Sequence, residues 1–568
     1  MNAPVLHQPI DRMLISLGLI SEDQLRIALV EQAQCGQPVA RLLVRLGFIS
    51  EATLRDAIGR SLGQEAVDLS RTIVSADALA LVPRALAKRC NLIPLDVDAA
   101  AGRLTVAMAN PNDILAMDSL KALVDHELQI DARLAGEQEI LQAIDLYYGH
   151  ELSIDGILHE LETGESDCRS PAAASLDEYS QPVVRLIDAL LTDAVKQEAS
   201  DIHFEPEAGF LRIRYRIDGL LRQIRVLHKS YWPAMAVRLK VIAGMNIAES
   251  RAPQDGRIAL NVSGHAVDFR VASQPTIHGE NLVLRVLDRQ KRIVALEQLD
   301  LAPPQLDLLK LMIARPEGLI LVTGPTGSGK TTTLYSMLHH INHGGINIMT
   351  LEDPVEYPTA MIRQTSIAEA VRLDFANGIR SMMRQDPDVI LVGEIRDRDT
   401  AEMAFRAAMT GHQVYSTLHT NSAIGAVPRL LDIGILPDIM AGNIIGVIGQ
   451  RLVRRLCRHC RQAHAATPLE LRLLGLDPHD RGVLIHRPTG CEHCDLQGYR
   501  GRVAIMELLR LDGDLDELIA QRATVRHILG AALDKGFRPL ADEGRRRVLD
   551  GTTSVEEVGR AVNLTERL

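Results

Sequence analysis

Lys330-Thr331-Thr332 closes a glycine-rich run, Gly324-Pro325-Thr326-Gly327-Ser328-Gly329, in the spacing Gly-x-x-x-x-Gly-Lys-Thr. That is the spacing of a phosphate-binding loop. The glycines let successive backbone N–H groups turn inward around phosphate oxygens. Lys330 is placed to reach the β- and γ-phosphates, and the Thr331 hydroxyl to hold Mg²⁺. The pattern predicts that ATP with Mg²⁺ binds over residues 324–332.

Three further segments carry groups suited to the same chemistry. Glu352-Asp353-Pro354-Val355-Glu356 follows an apolar run over 346–351, and Asp388-Val-Ile-Leu-Val-Gly393-Glu394 is a second apolar run ending in an acid. Gly393 stands where many phosphate-loop motors carry a metal-binding Asp. Glu394 is therefore expected to polarise the attacking water or to help hold Mg²⁺ through water, with Glu352 and Glu356 supplying the other acidic contact. A third run, Val414-Tyr-Ser-Thr-Leu-His419-Thr-Asn421, ends in a histidine expected to sense the γ-phosphate. Arg380 and Arg384 lie four apart, on one face of a helix before the Glu394 strand; that face is either solvated or turned across a subunit boundary toward nucleotide. Arginines also recur at 216, 251, 257, 270 and 285. Of these, Arg257 and Arg270 are the candidates for fingers on a phosphate bound by a neighbouring subunit, against the alternative of solvated surface charge.

A second chemistry is written in cysteines. Cys457-Arg-His-Cys460 and Cys491-Glu-His-Cys494 are two C-x-x-C pairs with 30 residues between them. Four thiolates satisfy Zn²⁺ at a closed structural site, and the long spacer requires a small subdomain to fill it. His459 and His493 sit inside the knuckles and are weaker ligand candidates than the thiols.

These residues need a scaffold. The run over 319–322 has the length and branching of a buried strand, and a helix is predicted from the loop to about residue 341. At 568 residues the chain is long enough for several domains. Residues 1–66 carry a repeat at an offset of 29, each copy a short helix, a Gly C-cap and a helix opened by Ser; Ser21 and Gln24 form a capping box, while the second copy lacks the Gln. Residues 67–150 mix strands (91–97, 103–109) with helices (114–124, 137–148), as an α/β adaptor. Residues 151–181 are acidic and broken by Gly and Ser-Pro-Ala-rich sequence, which predicts a flexible linker. Residues 182–289 form a second α/β domain, with a helix over 183–198 and an alternating strand over 211–217 turned by Asp218-Gly219. Residues 290–568 hold the phosphate loop, with the cysteine module at about 450–510.

Hydrophobic content of 46% and charged content of 24% suit a globular chain. The N-terminus lacks a signal-peptide layout and no apolar stretch is long enough to span a bilayer, so cytosolic residence is expected, with the seven cysteines as thiols or metal ligands. The net charge of −11 argues against nucleic acid as a partner.

Leu351-Glu-Asp-Pro-Val-Glu356, Met383-Arg-Gln-Asp-Pro-Asp-Val-Ile-Leu-Val-Gly-Glu-Ile-Arg-Asp397, Ser416-Thr-Leu-His-Thr-Asn421, Ala199-Ser-Asp-Ile-His203 and the four cysteines resemble the signatures of the type II secretion and type IV pilus assembly ATPases. The resemblance covers about residues 180–510 strongly and the first 150 loosely. It implies a multidomain α/β fold: a RecA-like core, a PAS-like domain before it, a zinc subdomain and N-terminal adaptors. It also implies a homo-hexamer, peripheral on the cytoplasmic face of the inner membrane, that works with a membrane platform protein and a docking protein. A retraction motor of the same superfamily and a RecA-like nucleic-acid motor are the alternatives; retraction motors usually lack the long N-terminal region and the cysteines. The N-terminal repeats resemble cyclic di-GMP-binding domains, which place an Arg-x-Leu-Gly element ahead of each copy. This chain has Gln8-Pro9-Ile10-Asp11 and Gln37-Pro38-Val39-Ala40 there, so partner docking is the preferred reading.

Overall fold

The computed structural model describes residues 13–15, 17–35, 39–62, 64–99, 101–124, 128–148, 154–163, 181–262, 265–288, 293–367 and 373–564. Cys168, the linker beyond residue 163 and the segments 8–11 and 37–38 lie outside them. The chain divides into two compact units, residues 1–290 and 291–568.

In the first unit the N-terminal repeat is helical. Gly18 and Gly47, at φ of 67° and 73°, end the first helix of each copy by the left-handed cap that glycine adopts without strain. Ser21 and Gln24 close the capping box, with N–H to side-chain oxygen distances of 2.8 and 3.2 Å. In the second copy Ser50 still accepts from the Thr53 N–H at 3.1 Å. Arg55, 7% exposed, donates from Nη1 to both carboxylate oxygens of Glu139, at 2.8 and 2.9 Å, joining the repeat to the next fold.

That next fold has strands β1 (Thr72–Ile73), β2 (Leu92–Asp98), β3 (Arg103–Met108) and β4 (Gln129–Leu134), with β2, β3 and β4 forming one small sheet. Strands β5 (Asp201–Pro206), β6 (Phe210–Ile217), β7 (Leu220–His228), β8 (Gln254–Val262), β9 (His265–Thr276) and β10 (Gly279–Asp288) join β1 in a seven-stranded sheet ordered β1-β8-β9-β10-β5-β6-β7. The helix Gln181–Lys196 packs Leu186, Ile187, Leu190 and Leu191 on this sheet. The expected linker is corrected in its first part. Residues Ile154–Thr163 form a helix whose Ile157 is fully buried in the same core, with Leu158 and Leu161 packed beside it. An amphipathic turn pattern overrides the acidic composition there.

The second unit is built on a sheet of β11 (Gly318–Thr323), β12 (Ile348–Glu352), β13 (Ile362–Ser366), β14 (Val389–Val392), β15 (Gln413–Leu418), β16 (Ile444–Leu456) and β19 (Tyr499–Arg510), in the order β13-β12-β14-β15-β11-β16-β19. All pairs are parallel except β16 with β19. Every residue of β11, β14 and β15 is buried, as expected of parallel strands covered by helices on both faces. Leu319 and Leu321 enter the core shared with the helix Arg398–Met409; Ile320 and Val322, pointing the other way, enter the core shared with the helix Lys330–Ile341. Strands β17 (Gln462–Ala465) and β18 (Leu484–Arg487) form a separate hairpin-like pair between the two cysteine knuckles. With the helix Pro468–Leu473 they are the subdomain that the cysteine spacing required. No helix among the described residues is long and apolar enough to cross a membrane.

Candidate active site

The ends of β11, β14 and β15 meet at one edge of the second sheet. Val392 pairs with Ser416, and Thr323 with Leu418, so the phosphate loop, Glu394 and His419 each follow the C-terminal end of adjacent parallel strands. That edge is where an open α/β sheet forms its ligand crevice.

The loop itself is held from below. Gln450, on β16 and 2% exposed, donates its amide to the Ser328 carbonyl at 2.9 Å and accepts the Thr333 hydroxyl at 2.7 Å. Gly329 begins the helix at φ 87°, and a Cβ there would lie 2.8 Å from the Gln450 amide nitrogen. Both the left-handed backbone and the lack of room demand glycine. Lys330 folds back to donate to the carbonyls of Gly324 and Pro325, at 2.8 and 3.2 Å. Burial pulls its pKa down, as does the Arg451 charge, while the Glu394 carboxylate opposes them.

The loop fits a nucleotide phosphate on its own chemistry. The Ser328 hydroxyl is buried without a hydrogen-bond partner, Thr331 and Thr332 are exposed, and the helix Lys330–Ile341 presents its N-terminus there.

Glu394 is the acid beside this loop. Its Oε2 accepts from His419 Nε2 at 3.1 Å, and its Oε1 is paired with Arg396. The carboxylate is 16% exposed, whereas Arg396 is 63% exposed, so the arginine is able to swing out. Gly393 packs close to β12: a Cβ there would lie 3.3 Å from the Leu351 carbonyl, so an Asp at this position would crowd the neighbouring strand.

Other expected residues take different places. Glu352 is buried and accepts the hydroxyls of Tyr335 and Thr350, both at 2.6 Å, and the Gln364 amide at 3.3 Å. It is tied into a polar network under the crevice. Glu356 is half-buried in the segment after β12. Arg380 is on the helix Phe375–Met382 and donates to Asn377 at 2.7 Å. Arg384 is not on that helix. The helix stops at Met382, and the Arg384 guanidinium caps it by donating to the Arg380 carbonyl at 2.9 Å. Helix ends attract such cations because their last carbonyls lack partners.

In the first unit, register aligns the arginines. Arg257 on β8 pairs with Arg270 on β9, Arg270 with Arg285 on β10, Arg285 with Asp201 on β5, and Asp201 with Arg216 on β6. Directly paired residues face the same side, so four arginines and one carboxylate form a row on one face. Asp201 holds Arg285 at 3.2 Å and Arg216 at 3.3 Å. Like charges opposite one another cost energy, which carboxylates such as Asp201 offset.

The four cysteine sulfurs lie within 4.8 Å of one another, with Cys457–Cys491 and Cys460–Cys494 at 3.8 Å and Cys491–Cys494 at 3.7 Å. Sulfurs at about 2.3 Å from a tetrahedral Zn²⁺ are about 3.8 Å apart. The donor set and its spacing fit that ion. His459 and His493 stack on each other at 4.1 Å and are not part of the four-sulfur cluster.

Sequence reading missed Arg396, Gln450 and Arg451. Arg396 was visible in Glu394-Ile-Arg396 but had no assigned partner. Gln450 and Arg451 are polar residues inside a long buried strand, and that mismatch with the surrounding Ile-Gly and Leu-Val was the available signal.

A glycine-loop lysine, a neighbouring acid and a histidine at the ends of parallel strands define a nucleoside-triphosphate hydrolase. The profile described as "Type II/IV secretion system protein" matches residues 177–560, and that of the MshEN domain matches 62–154. The chain is 39% identical to the type IV pilus assembly ATPase PilB of Myxococcus xanthus, over 96% of this chain and 97% of that protein. It is 43% identical to the type II secretion system protein E of Pseudomonas aeruginosa, over 76% of this chain and 87% of that protein. A solved structure of the pilus retraction motor PilT with bound ADP is 27% identical, covering 67% of this chain and 97% of that one, at a TM-score of 0.46. The chain belongs to the type II/IV secretion system protein family and is a motor ATPase of protein secretion or pilus assembly.

Proposed function

We propose that hydrolysis takes place over residues 324–332 with Glu394 as the base. The observation that carries this is the Glu394 carboxylate, held by His419 and Arg396 beside the Lys330 loop. Arg396 swings away and frees Oε1 to take a proton from water. The water oxygen attacks the γ-phosphorus, and the bond to the ADP oxygen breaks. Lys330 and the loop N–H groups stabilise the charge that develops on the phosphate oxygens. His419 orients Glu394 and contacts the γ-phosphate, so its position reports whether that group is present. Thr331 would hold Mg²⁺, with water-mediated help from Glu352 or Glu356; the ion supplies charge neutralisation across the phosphates.

The rest of our reading concerns assembly. The core is RecA-like, the chain works as a homo-hexamer on the cytoplasmic face of the inner membrane, and Zn²⁺ binds Cys457, Cys460, Cys491 and Cys494. The motion is passed to a membrane platform protein through a docking partner. Arg257 and Arg270 complete a neighbouring subunit's site, with Arg380 and Arg384 at the subunit boundary. The arginine row on β8, β9, β10 and β6 supports an anion-facing role for the first two. The MshEN match favours a second reading of the N-terminal region, as a cyclic di-GMP site. Both helical copies fall outside that match and lack the Arg-x-Leu-Gly element, so partner docking is our choice.

A mixing experiment tests the shared sites. Lys330→Ala and Arg257→Ala chains are each expected to lose turnover, by about 10³- to 10⁵-fold for an arginine finger. Mixed oligomers should recover activity at boundaries where both intact residues meet. Mixed oligomers that form but stay inactive would place Arg257 within its own chain's chemistry or structure.

A further inference from the structure

Behind the site, one carboxylate joins two segments that are distant in sequence. Glu507 is on β19, 2% exposed. Its Oε1 accepts the backbone N–H of Ala423 at 2.5 Å, and its Oε2 accepts that of Leu540 at 2.8 Å. Ala423 lies in the short segment that begins at His419, between β15 and the helix Ala426–Ile433. Leu540 is the first residue of the helix Leu540–Leu549, whose N-terminal N–H groups favour an anion.

The surroundings are shaped to this bridge. A Cβ on Gly449 would lie 2.6 Å from Glu507 Oε1 and 3.0 Å from the Ala423 nitrogen, so β16 leaves room for the carboxylate only by having no side chain there. Arg451, two residues on and 8% exposed, holds the same segment from its other end. Its Nη2 donates to the Asn421 carbonyl at 2.9 Å and to the Asn421 side-chain oxygen at 3.3 Å. Its Nη1 is 3.2 Å from where a Cβ on Gly324 would stand, at the start of the phosphate loop. Burial pushes the Glu507 carboxyl upward in pKa, while the two N–H groups and the Arg451 charge oppose this. A residue needed only to fill space would have been apolar, since a buried carboxylate costs free energy unless it is fully hydrogen-bonded.

We infer that Glu507 is a positioning residue that locks the His419–Ala423 segment to the helix Leu540–Leu549, setting His419 against Glu394 and moving that helix with the γ-phosphate side of the site. The inference rests on the assignment of His419 and Glu394 above. It adds a route by which nucleotide state reaches the C-terminal helices.

The test uses the full-length chain with Glu507→Gln and Glu507→Ala. Amide exchange is followed in peptides covering 419–424 and 540–546, with the phosphate loop as an internal control, and kcat and KM for ATP are measured alongside. In Glu507→Ala both peptides should exchange faster by about tenfold or more, the cost of leaving a buried N–H donor without its acceptor. The loop peptide should keep its protection, and kcat should fall by a similar factor while KM changes little. Glu507→Gln, which retains one carbonyl acceptor, should expose one of the two segments and lie between. A folded Glu507→Ala chain in which either segment keeps its protection, or in which kcat is unchanged, overturns the inference. Should Glu507→Ala fail to fold, unchanged exchange in both peptides of Glu507→Gln overturns it equally. Normal turnover in Glu394→Gln would refute the base assignment yet leave the exchange result standing, so the two claims fail separately.

Discussion

Replacing Cys457 by Ser tests the proposed zinc site at the point where the structure makes it consequential. Cys457 directly follows β16, and Tyr499, five residues after Cys494, opens β19; Leu456 pairs with Tyr499. The knuckles therefore close the free ends of the antiparallel pair that carries Gln450, Arg451 and Glu507. Between residues 458 and 498 the aliphatic side chains buried in the core are Leu471, Leu474 and Ile485. Three such side chains stabilise by about 1.5–3 kcal/mol each, too little to order so long a segment against its chain entropy. On the proposed assignment, a metal on the four thiols supplies much of the remainder. A structural zinc is worth about 10–16 kcal/mol, so an equal share for each of four ligands is about 2.5–4 kcal/mol. Loss of one ligand should then raise the fraction of chains with this module open by at least about fiftyfold. Zinc content is read by elemental analysis of freshly purified protein, expected at one ion per chain in the parent and near zero in Cys457→Ser. Amide exchange should accelerate across 458–498 while β11 and β14 keep their protection. Parent protein without zinc, or Cys457→Ser with unchanged exchange in the module, would refute the reasoning.

Two other substitutions address different links. Gly329→Ala forces an alanine to φ 87° with its Cβ 2.8 Å from Gln450; the strain of about 1–2 kcal/mol falls on the phosphate loop, and nucleotide affinity measured by calorimetry should drop by about five- to thirtyfold. Unchanged affinity would remove the loop geometry from the account. Asp188 is 6% exposed, and burial pushes its carboxyl from 3.8 up to about 6, with the Arg238 charge and the Tyr147 hydroxyl, at 3.1 Å, opposing. The folded state holds this proton more tightly than the unfolded one, so the contribution is favourable below 3.8 and is lost as pH rises through about 6. The loss is about 3 kcal/mol. Urea titrations across this window should show that slope in the parent and a flatter one in Asp188→Asn; equal slopes would contradict the burial argument.

What was legible in the sequence follows how locally each feature is encoded. The loop from Gly324 to Thr331 is contiguous, and the run over 319–322 sits inside the observed Gly318–Thr323, because a buried parallel strand is apolar at every position. The cysteine cluster was legible for the same reason: paired ligands at fixed spacing. The arginine row was not, since Arg257, Arg270, Arg285 and Arg216 come into line only through the register of four strand pairings. The helix Ile154–Thr163 was hidden by acidic composition, although Ile154, Ile157, Leu158 and Leu161 have helical spacing. Arg384 followed a correct rule about residues four apart, but the helix ended two residues before it. Gln450 supports the loop from 122 residues away in sequence, a contact that no local pattern encodes.

The most direct test of the account is Glu394→Gln in the full-length protein, with ATP affinity and turnover measured on the same preparation. Gln keeps the shape and an oxygen able to accept from His419, and loses only the capacity to take a proton. Affinity should stay within a few-fold of the parent while turnover falls by about 10²–10⁴-fold, the usual worth of a general base. Near-parental turnover at unchanged affinity would contradict the assignment and move the search for the base to Glu352 or Glu356.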